Sequence, residues 1–237
     1  MIRLAPVLAG VALFAAGCGG GARDELRQTA DRVGKIKSGT ISFSLVVTPR
    51  GKLTKHPFGF RIHGPFHFGD RPTARVAYTQ IANGKEETAT LVLERDRGYA
   101  IAKSGRRALT PAQLAELRAA AAGARRGARV AIDDWIDGAD SCGDHCVKGS
   151  LDVSSAMEGL LQIAGARVTL SDDDRKQLEQ ATKDASYRVE STDDHLLREL
   201  RADVDLGFDV PERLRAALGD LVGARFDLRL AIANPKA

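Results

Sequence analysis

Apolar side chains recur at every second residue over long stretches of both ends of this chain, and over little of its middle. Across residues 40–48, Ile41, Phe43, Leu45 and Val47 alternate with Ser42, Ser44 and Thr48. Across 58–68, Phe58, Phe60, Ile62, Phe66 and Phe68 share one parity, and Gly59, Arg61, His63 and His67 share the other. A period of two sends successive side chains to opposite faces of a strand, so each segment predicts a strand with one dry face and one wet face. Gly64-Pro65 predicts a bulge or an edge in the second of them. Residues 74–82 and 87–95 continue as strands around Asn83-Gly84, a favoured two-residue hairpin turn, and 98–102 makes a fifth. The pattern predicts an antiparallel meander over residues 40–103. It returns near the C-terminus, where Leu200, Ala202, Val204, Leu206 and Phe208 alternate with Arg201, Asp203 and Asp205. Phe226, Leu228, Leu230 and Ile232 then alternate with Arg225, Asp227 and Arg229, beyond a short helical turn at Pro211–Gly219.

Helical spacing fills the remainder. Leu26, Ala30 and Val33, with Ile36 or Lys37, form a stripe that predicts a helix over 23–37, ended by Gly39. Thr110 and Gln113 bracket Pro111 as a capping box, opening a helix with Leu114, Leu117 and Ala121 on one side. Residues 133–146 read as an acidic loop holding Trp135 and two cysteines, and Val147, Gly149, Leu151 and Val153 as a strand. Ser155 with Glu158 predicts a second capping box before Met157, Leu160, Leu161 and Ala164. Ser171 predicts a third cap, with Asp172, Asp173 and Asp174 at the positive end of its helix. Strands with one apolar face need a cover, and these helices are available to supply it. Alternation alone leaves open whether the cover fills the space or leaves a cavity.

The first residues follow neither period. Arg3 precedes an apolar run from Leu4 to Ala16 and then small residues, the layout of a secretory signal peptide. The run is shorter than the roughly 20 residues of a spanning helix. Ala15-Ala16-Gly17-Cys18 resembles the bacterial lipobox, with Ala15 where that motif usually has Leu. The resemblance implies a diacylglyceryl group on the Cys18 sulfur and cleavage before it. The expected organisation is a signal peptide over 1–17, a glycine-rich lipid-anchored tether over 18–22 and one α+β domain over 23–237. The 237-residue chain less its first 17 residues leaves 220, enough for a sizeable core. Loss of Arg3 lowers the formal charge from +4 to +3, too small a bias to point to nucleic acid. The expected location is the extracytoplasmic face of the membrane in the cell envelope, as a monomer held by its N-terminal lipid.

With Cys18 acylated, Cys142 and Cys146 are left to pair in an oxidising compartment. Their spacing permits a disulfide where the chain turns. The alternative is a zinc site of Cys142, His145 and Cys146, which lacks a fourth ligand at familiar spacing. His63 and His67 with Asp70 stand too far apart along a strand for one ion. The loop Asp133–Asp144 departs from a calcium loop at Trp135 and at its last position. No nucleophile elbow, zinc-protease motif or phosphate loop occurs, so no catalytic residues, metal or cofactor are expected. An envelope hydrolase would need one of His63, His67 or His195 beside a carboxylate and a nucleophile. Lys103, Arg106, Arg107, Arg118, Arg125, Arg126 and Arg129 make residues 103–129 basic, and could meet anionic head groups or form a solvated face.

The order of elements carries one further resemblance. A lipobox, a helix leading into Ile41-Ser42-Phe43-Ser44-Leu45, a meander, Val147-Lys148-Gly149-Ser150-Leu151-Asp152-Val153 before a helix, and last strands ending in Asn234-Pro235 resemble the actinobacterial LppX/LprG lipoproteins. More distantly they resemble the LolA-type carriers. The resemblance implies a strongly curved antiparallel half-barrel with helices covering its concave face around an apolar cavity for acyl chains. The hydrophobic or acylated ligand would then lie against Phe43, Leu45, Phe58, Phe60, Val204, Leu206, Phe226 and Leu228. The Cys142–Cys146 pair is outside that family's pattern. A structural or interaction lipoprotein of the same fold with a filled core is the alternative.

Overall fold

The structure, a computed structural model, describes residues 18–51, 56–69, 72–115, 118, 135–163, 169–207 and 222–237. Its strands are β1 (Ser38–Arg50), β2 (Phe58–His67), β3 (Thr73–Ala82), β4 (Lys85–Leu93), β5 (Gly98–Ala102), β6 (Gly105–Ala108), β7 (Asp140–Gly143), β8 (Cys146–Ser150), β9 (Thr182–Ser191), β10 (Leu197–Leu206) and β11 (Gly223–Lys236). They form one open antiparallel sheet in the order β6-β5-β4-β3-β2-β1-β11-β10-β9-β8-β7, an arrangement consistent with a half-barrel. The predicted meander is present and runs one strand further, to β6. Asn83 and Gly84 have φ of 53° and 72°, the pair of positive values that a tight hairpin turn requires.

Register sorts the side chains. Phe60, Leu45, Leu228, Ala202, Tyr187 and Gly149 stand opposite one another across β2, β1, β11, β10, β9 and β8. One residue along, Arg61, Ser44, Arg229, Arg201, Arg188 and Lys148 make the corresponding row on the other face. The cations of that row reach carboxylates in neighbouring rows. Arg229 and Arg201 meet Glu199 at 2.5 and 2.9 Å, and Arg188 meets Glu190 at 2.8 Å. Burial pushes the Glu199 carboxyl up, and the hydrogen bonds from Arg201 and Arg229 outweigh it and hold the group below its usual range. Exposed pairs of this kind contribute only about 0–1 kcal/mol each. They nonetheless reinforce a register in which a slip by one residue would expose the apolar row.

Gly64-Pro65 makes no bulge. Ser38–Val47 faces Phe58–His67 without a break, Ile41 opposite Gly64 and Thr40 opposite Pro65. The strand instead has glycine torsions at two positions, with φ of 150° at Gly59 and 152° at Gly64. A Cβ there would stand 2.0 Å from the Leu45 carbonyl oxygen or 2.1 Å from that of Arg75.

Helix α1 (Cys18–Val33) begins before the predicted 23–37 and ends before it. Gly19-Gly20-Gly21, predicted as a tether, lies inside it. Its buried stripe of Ala22, Leu26 and Ala30 docks against the sheet, and the chain turns at Gly34-Lys35 so that Ile36 enters the core from outside the helix. Gly39 belongs to β1 and ends no helix. Helix α2 (Val153–Ile163) is capped by Asp152, whose Oδ1 accepts from the amides of Ser154 and Ser155 at 2.9 and 3.1 Å. Glu158 therefore closes no box with Ser155. It receives Arg175 at 2.8 Å and the Leu170 amide at 2.6 Å. Helix α3 (Asp172–Ala181) has the predicted Ser171 cap, as a capping box with Asp174. Thr110 and Gln113 likewise close the predicted box at the start of a helix described over 111–115.

Two clusters make the core on the apolar face. Ala22, Leu26 and Ile36 pack with Phe66, Val147, Val189, Leu197, Leu200, Leu228 and Ile232. Val153, Leu170 and Leu178 pack with Leu206, against Val204 and Phe226. The acidic loop predicted over 133–146 is, from Asp140, the β7–β8 hairpin, and β9 is a strand that the sequence pattern does not predict. Residues 1–17, Asp70, Leu117, Ala121, Arg125, Arg126, Arg129, Asp133, Phe208 and Pro211–Gly219 lie outside the described residues, as do the side chains of Leu160, Leu161 and Ala164. No described helix is long and apolar enough to cross a membrane.

Candidate functional site

An apolar pocket of about 210 Å³ opens on the covered face, drawing its wall from both clusters. Strand β1 contributes Leu45 and Val47, β10 contributes Leu200, Ala202 and Val204, and β11 contributes Phe226 and Leu228. Helix α2 closes it with Val153, Ala156 and Met157, and Trp135, Leu151 and Tyr187 complete the wall. The Tyr187 hydroxyl donates to the Gly138 carbonyl at 2.9 Å. Burial pushes its phenol up to about 12, nearby Asp140 adds to the rise and Arg23 opposes it.

Of the residues predicted to face a ligand, Leu45, Val204, Phe226 and Leu228 line this pocket. Leu206, the last residue of β10, is fully buried in the core with Val153, Leu170 and Leu178. Phe43, Phe58 and Phe60 share the face but stand beyond the pocket wall. There Phe43, Phe60 and Tyr78 form an aromatic strip, with ring centroids 5.5 and 5.9 Å apart. Its outer end, Tyr78, is 41% exposed. Val47, Leu200 and Ala202 carry the same alternation as the predicted residues and were legible by it, whereas Tyr187 lies in β9, which the sequence pattern did not predict. Trp135, Val153, Ala156 and Met157 reach the pocket only through the tertiary path of the chain.

A polar corner lies at the C-terminal end of β9. The disulfide Cys142–Cys146, with Cα atoms 5.1 Å apart, closes the β7–β8 turn and sets His145 at its tip. Cys142 and Cys146 are thereby removed as partners of a zinc ion. His145 instead turns to α1, its Nδ1 3.4 Å from Glu25 Oε1. His195, in the turn between β9 and β10, brings its Nδ1 to 3.0 Å from the same oxygen and 2.9 Å from Oε2. The Ser191 hydroxyl donates to Glu25 Oε1 at 2.5 Å. The His145 carbonyl accepts the Ser191 amide at 2.9 Å, and Arg32 donates to the Asp194 carbonyl at 2.8 Å, so both turns are tied to their surroundings. Burial pushes the Glu25 carboxyl up, and the hydrogen bonds from Ser191, His195 and His145 outweigh it, holding the group below its usual range. Among the described residues, Glu25, His145 and His195 are the side chains grouped closely enough to hold a metal ion.

The other candidates stay apart. His63 is exposed, its Nδ1 3.4 Å from Ser42 Oγ, and His67 is exposed farther along β2. Of the basic stretch, Arg106 lies over the Tyr99 ring at 3.5 Å on the exposed β5–β6 hairpin.

No family model matches the chain, and no curated protein matches it. Among solved structures, the chain is similar to the crystal structure of LprF from Mycobacterium bovis, at 11% identity, over 93% of this chain and 96% of that one, with a TM-score of 0.46.

Proposed function

We propose that this chain is an envelope lipoprotein, anchored through lipid on Cys18, that binds the acyl part of a lipid, glycolipid or other acylated molecule in its apolar pocket. The observation that carries the reading is a pocket walled almost wholly by hydrocarbon on a sheet face that stays apolar across many strands. The aromatic strip from Phe43 to the half-exposed Tyr78 extends that face beyond the pocket. Apolar area removed from water would drive binding. The lipobox-like Ala15-Ala16-Gly17-Cys18 supports the anchor, since more than one acyl chain makes membrane attachment stable.

Native mass spectrometry of the full chain taken from its host membranes tests the reading. The expected result is an acylated adduct that is lost in Ala202→Trp, which fills the pocket. A clean unliganded mass for the unsubstituted protein overturns it. Cys18→Ser should move the folded protein to the soluble fraction, and continued partitioning with membranes would overturn the anchor. One observation favours the second reading, a lipoprotein with a filled core: about 210 Å³ is less than the roughly 300–1,000 Å³ of a small-molecule site. That reading predicts no adduct and no effect of Ala202→Trp on the mass.

A further inference from the structure

We propose that Glu25, His145 and His195 form a binding site for one divalent transition-metal ion of the zinc class, with three protein ligands and one coordination position open to solvent. Two imidazoles and a carboxylate are a ligand set that suits zinc. Bonds of about 2.0–2.1 Å to a tetrahedral ion put two ligand atoms roughly 3.3–3.4 Å apart. Here Glu25 Oε1 stands 3.4 Å from His145 Nδ1, and Glu25 Oε2 stands 2.9 Å from His195 Nδ1. One ligand atom from each of the three residues fits within 4.8 Å of the other two. Both carboxylate–imidazole separations lie close to that spacing.

The surroundings have the form of a metal site's outer shell. An imidazole bound through one nitrogen commonly gives its other N–H to a carboxylate, and Asp193 Oδ1 lies 3.5 Å from His145 Nε2. Ser191, donating to Glu25 Oε1, orients the carboxylate ligand. Both histidines stand at turn corners with φ of 54° and 55°, a left-handed conformation that glycine or asparagine adopts more readily. Histidine at both corners directs two imidazoles onto one carboxylate. The disulfide closes the first corner and hydrogen bonds hold the second. An open groove of about 880 Å³, lined in part by His145, Ser191 and Asp193, provides the route for an ion. The three side chains are 19–34% exposed, shielded without being sealed.

Hydrogen bonds to Glu25 already hold the corner together, so the protein folds without the ion. Glu25 lies seven residues after Cys18 in α1, about 10 Å along the helix. The ion would therefore fasten the membrane-proximal helix to two hairpin turns of the sheet. This inference is independent of the acyl-ligand reading, because the two sites share no side chain.

The test uses the untagged chain, stripped by chelator and titrated with zinc by calorimetry and with cobalt by visible absorption. The expected result is one ion per chain with a Kd of about 1 μM or tighter, tetrahedral cobalt bands and a metal-dependent rise in Tm. His145→Asn and His195→Asn keep a residue that tolerates the left-handed corner and remove one imidazole. Each should retain the far-UV spectrum and lose the cobalt bands and the metal-dependent Tm rise. Ser191→Ala should weaken zinc by about 10-fold or more, and His63→Ala should leave it unchanged. Absence of zinc binding overturns the proposal. So does binding that survives both asparagine variants or is lost in His63→Ala, which would mark an adventitious surface ion.

Discussion

Strand β9 serves opposite chemistry at two positions four residues apart, Tyr187 in its middle and Ser191 at its C-terminal end. At Tyr187 the strand joins Ala202, Leu45 and Leu228 around an apolar pocket, where the tyrosine hydroxyl finds a carbonyl and the rest of the wall is almost wholly apolar. At the C-terminal end Ser191 and the Nδ1 atoms of His145 and His195 all meet the Glu25 carboxylate. The strand itself is continuous through both. The difference lies in what meets it. Helix α2 brings Val153, Ala156 and Met157 to the pocket, whereas two turns and α1 meet at the polar corner. The chemistry along one strand thus depends on which neighbouring elements meet it as much as on its own residues.

Substitutions at each site can break that contrast. Leu206→Ala, in the core with Val153, Leu170 and Leu178, should cost about 2–5 kcal/mol in urea unfolding, through lost burial and the cavity left behind. A cost under about 1 kcal/mol would mean that α2 and α3 are loosely seated. Glu25→Gln in metal-free protein should cost about 1–3 kcal/mol, because the amide replaces one acceptor oxygen with a donor facing other donors. A larger loss than that of Leu206→Ala would reverse the ranking and make the polar corner the principal clamp. Tyr187→Phe should cost about 0.5–1.5 kcal/mol at neutral pH, for the single bond to Gly138. Its pH dependence has a definite sign. The folded protein holds the phenol's proton up to about 12, against an ordinary value of 10.0. That contribution is complete below pH 10 and is lost as pH rises from 10 towards 12. The stability gap between the parent chain and Tyr187→Phe should therefore narrow over that range. A constant gap would show that the phenol is not buried in solution.

The apolar site was largely legible in advance and the polar corner was not. Leu45, Val204, Phe226 and Leu228 were readable because a strand's period is independent of its neighbours: whatever covers the sheet, alternate residues share a face. Val47 and Ala202 followed the same rule. Leu206 also obeyed it, yet packs into the core, because alternation assigns a face without saying which part of that face the helices fill. Strand β9 carries the signal in Ala185, Tyr187 and Val189, but it follows α3 without a turn residue to mark the change of period. Capping was partly readable. Ser171 behaves as its spacing predicts, whereas Asp152, three residues before Ser155, captured the start of α2 first.

Local chemistry in the sequence accounts for the strands of the meander, the Asn83-Gly84 hairpin, the Ser171 and Thr110 caps, and the pairing of Cys142 with Cys146. Each depends on residues within about one turn or one hairpin, whose geometry the backbone itself limits. Only the tertiary structure decided that β11 lies beside β1, so that Leu228 meets Leu45 and the two halves share one apolar face. It alone brought Glu25 to His145 and His195, 120 and 170 residues away along the chain. Such contacts leave no period in the sequence, because they join a helix and two turns that meet only after the sheet between them has formed.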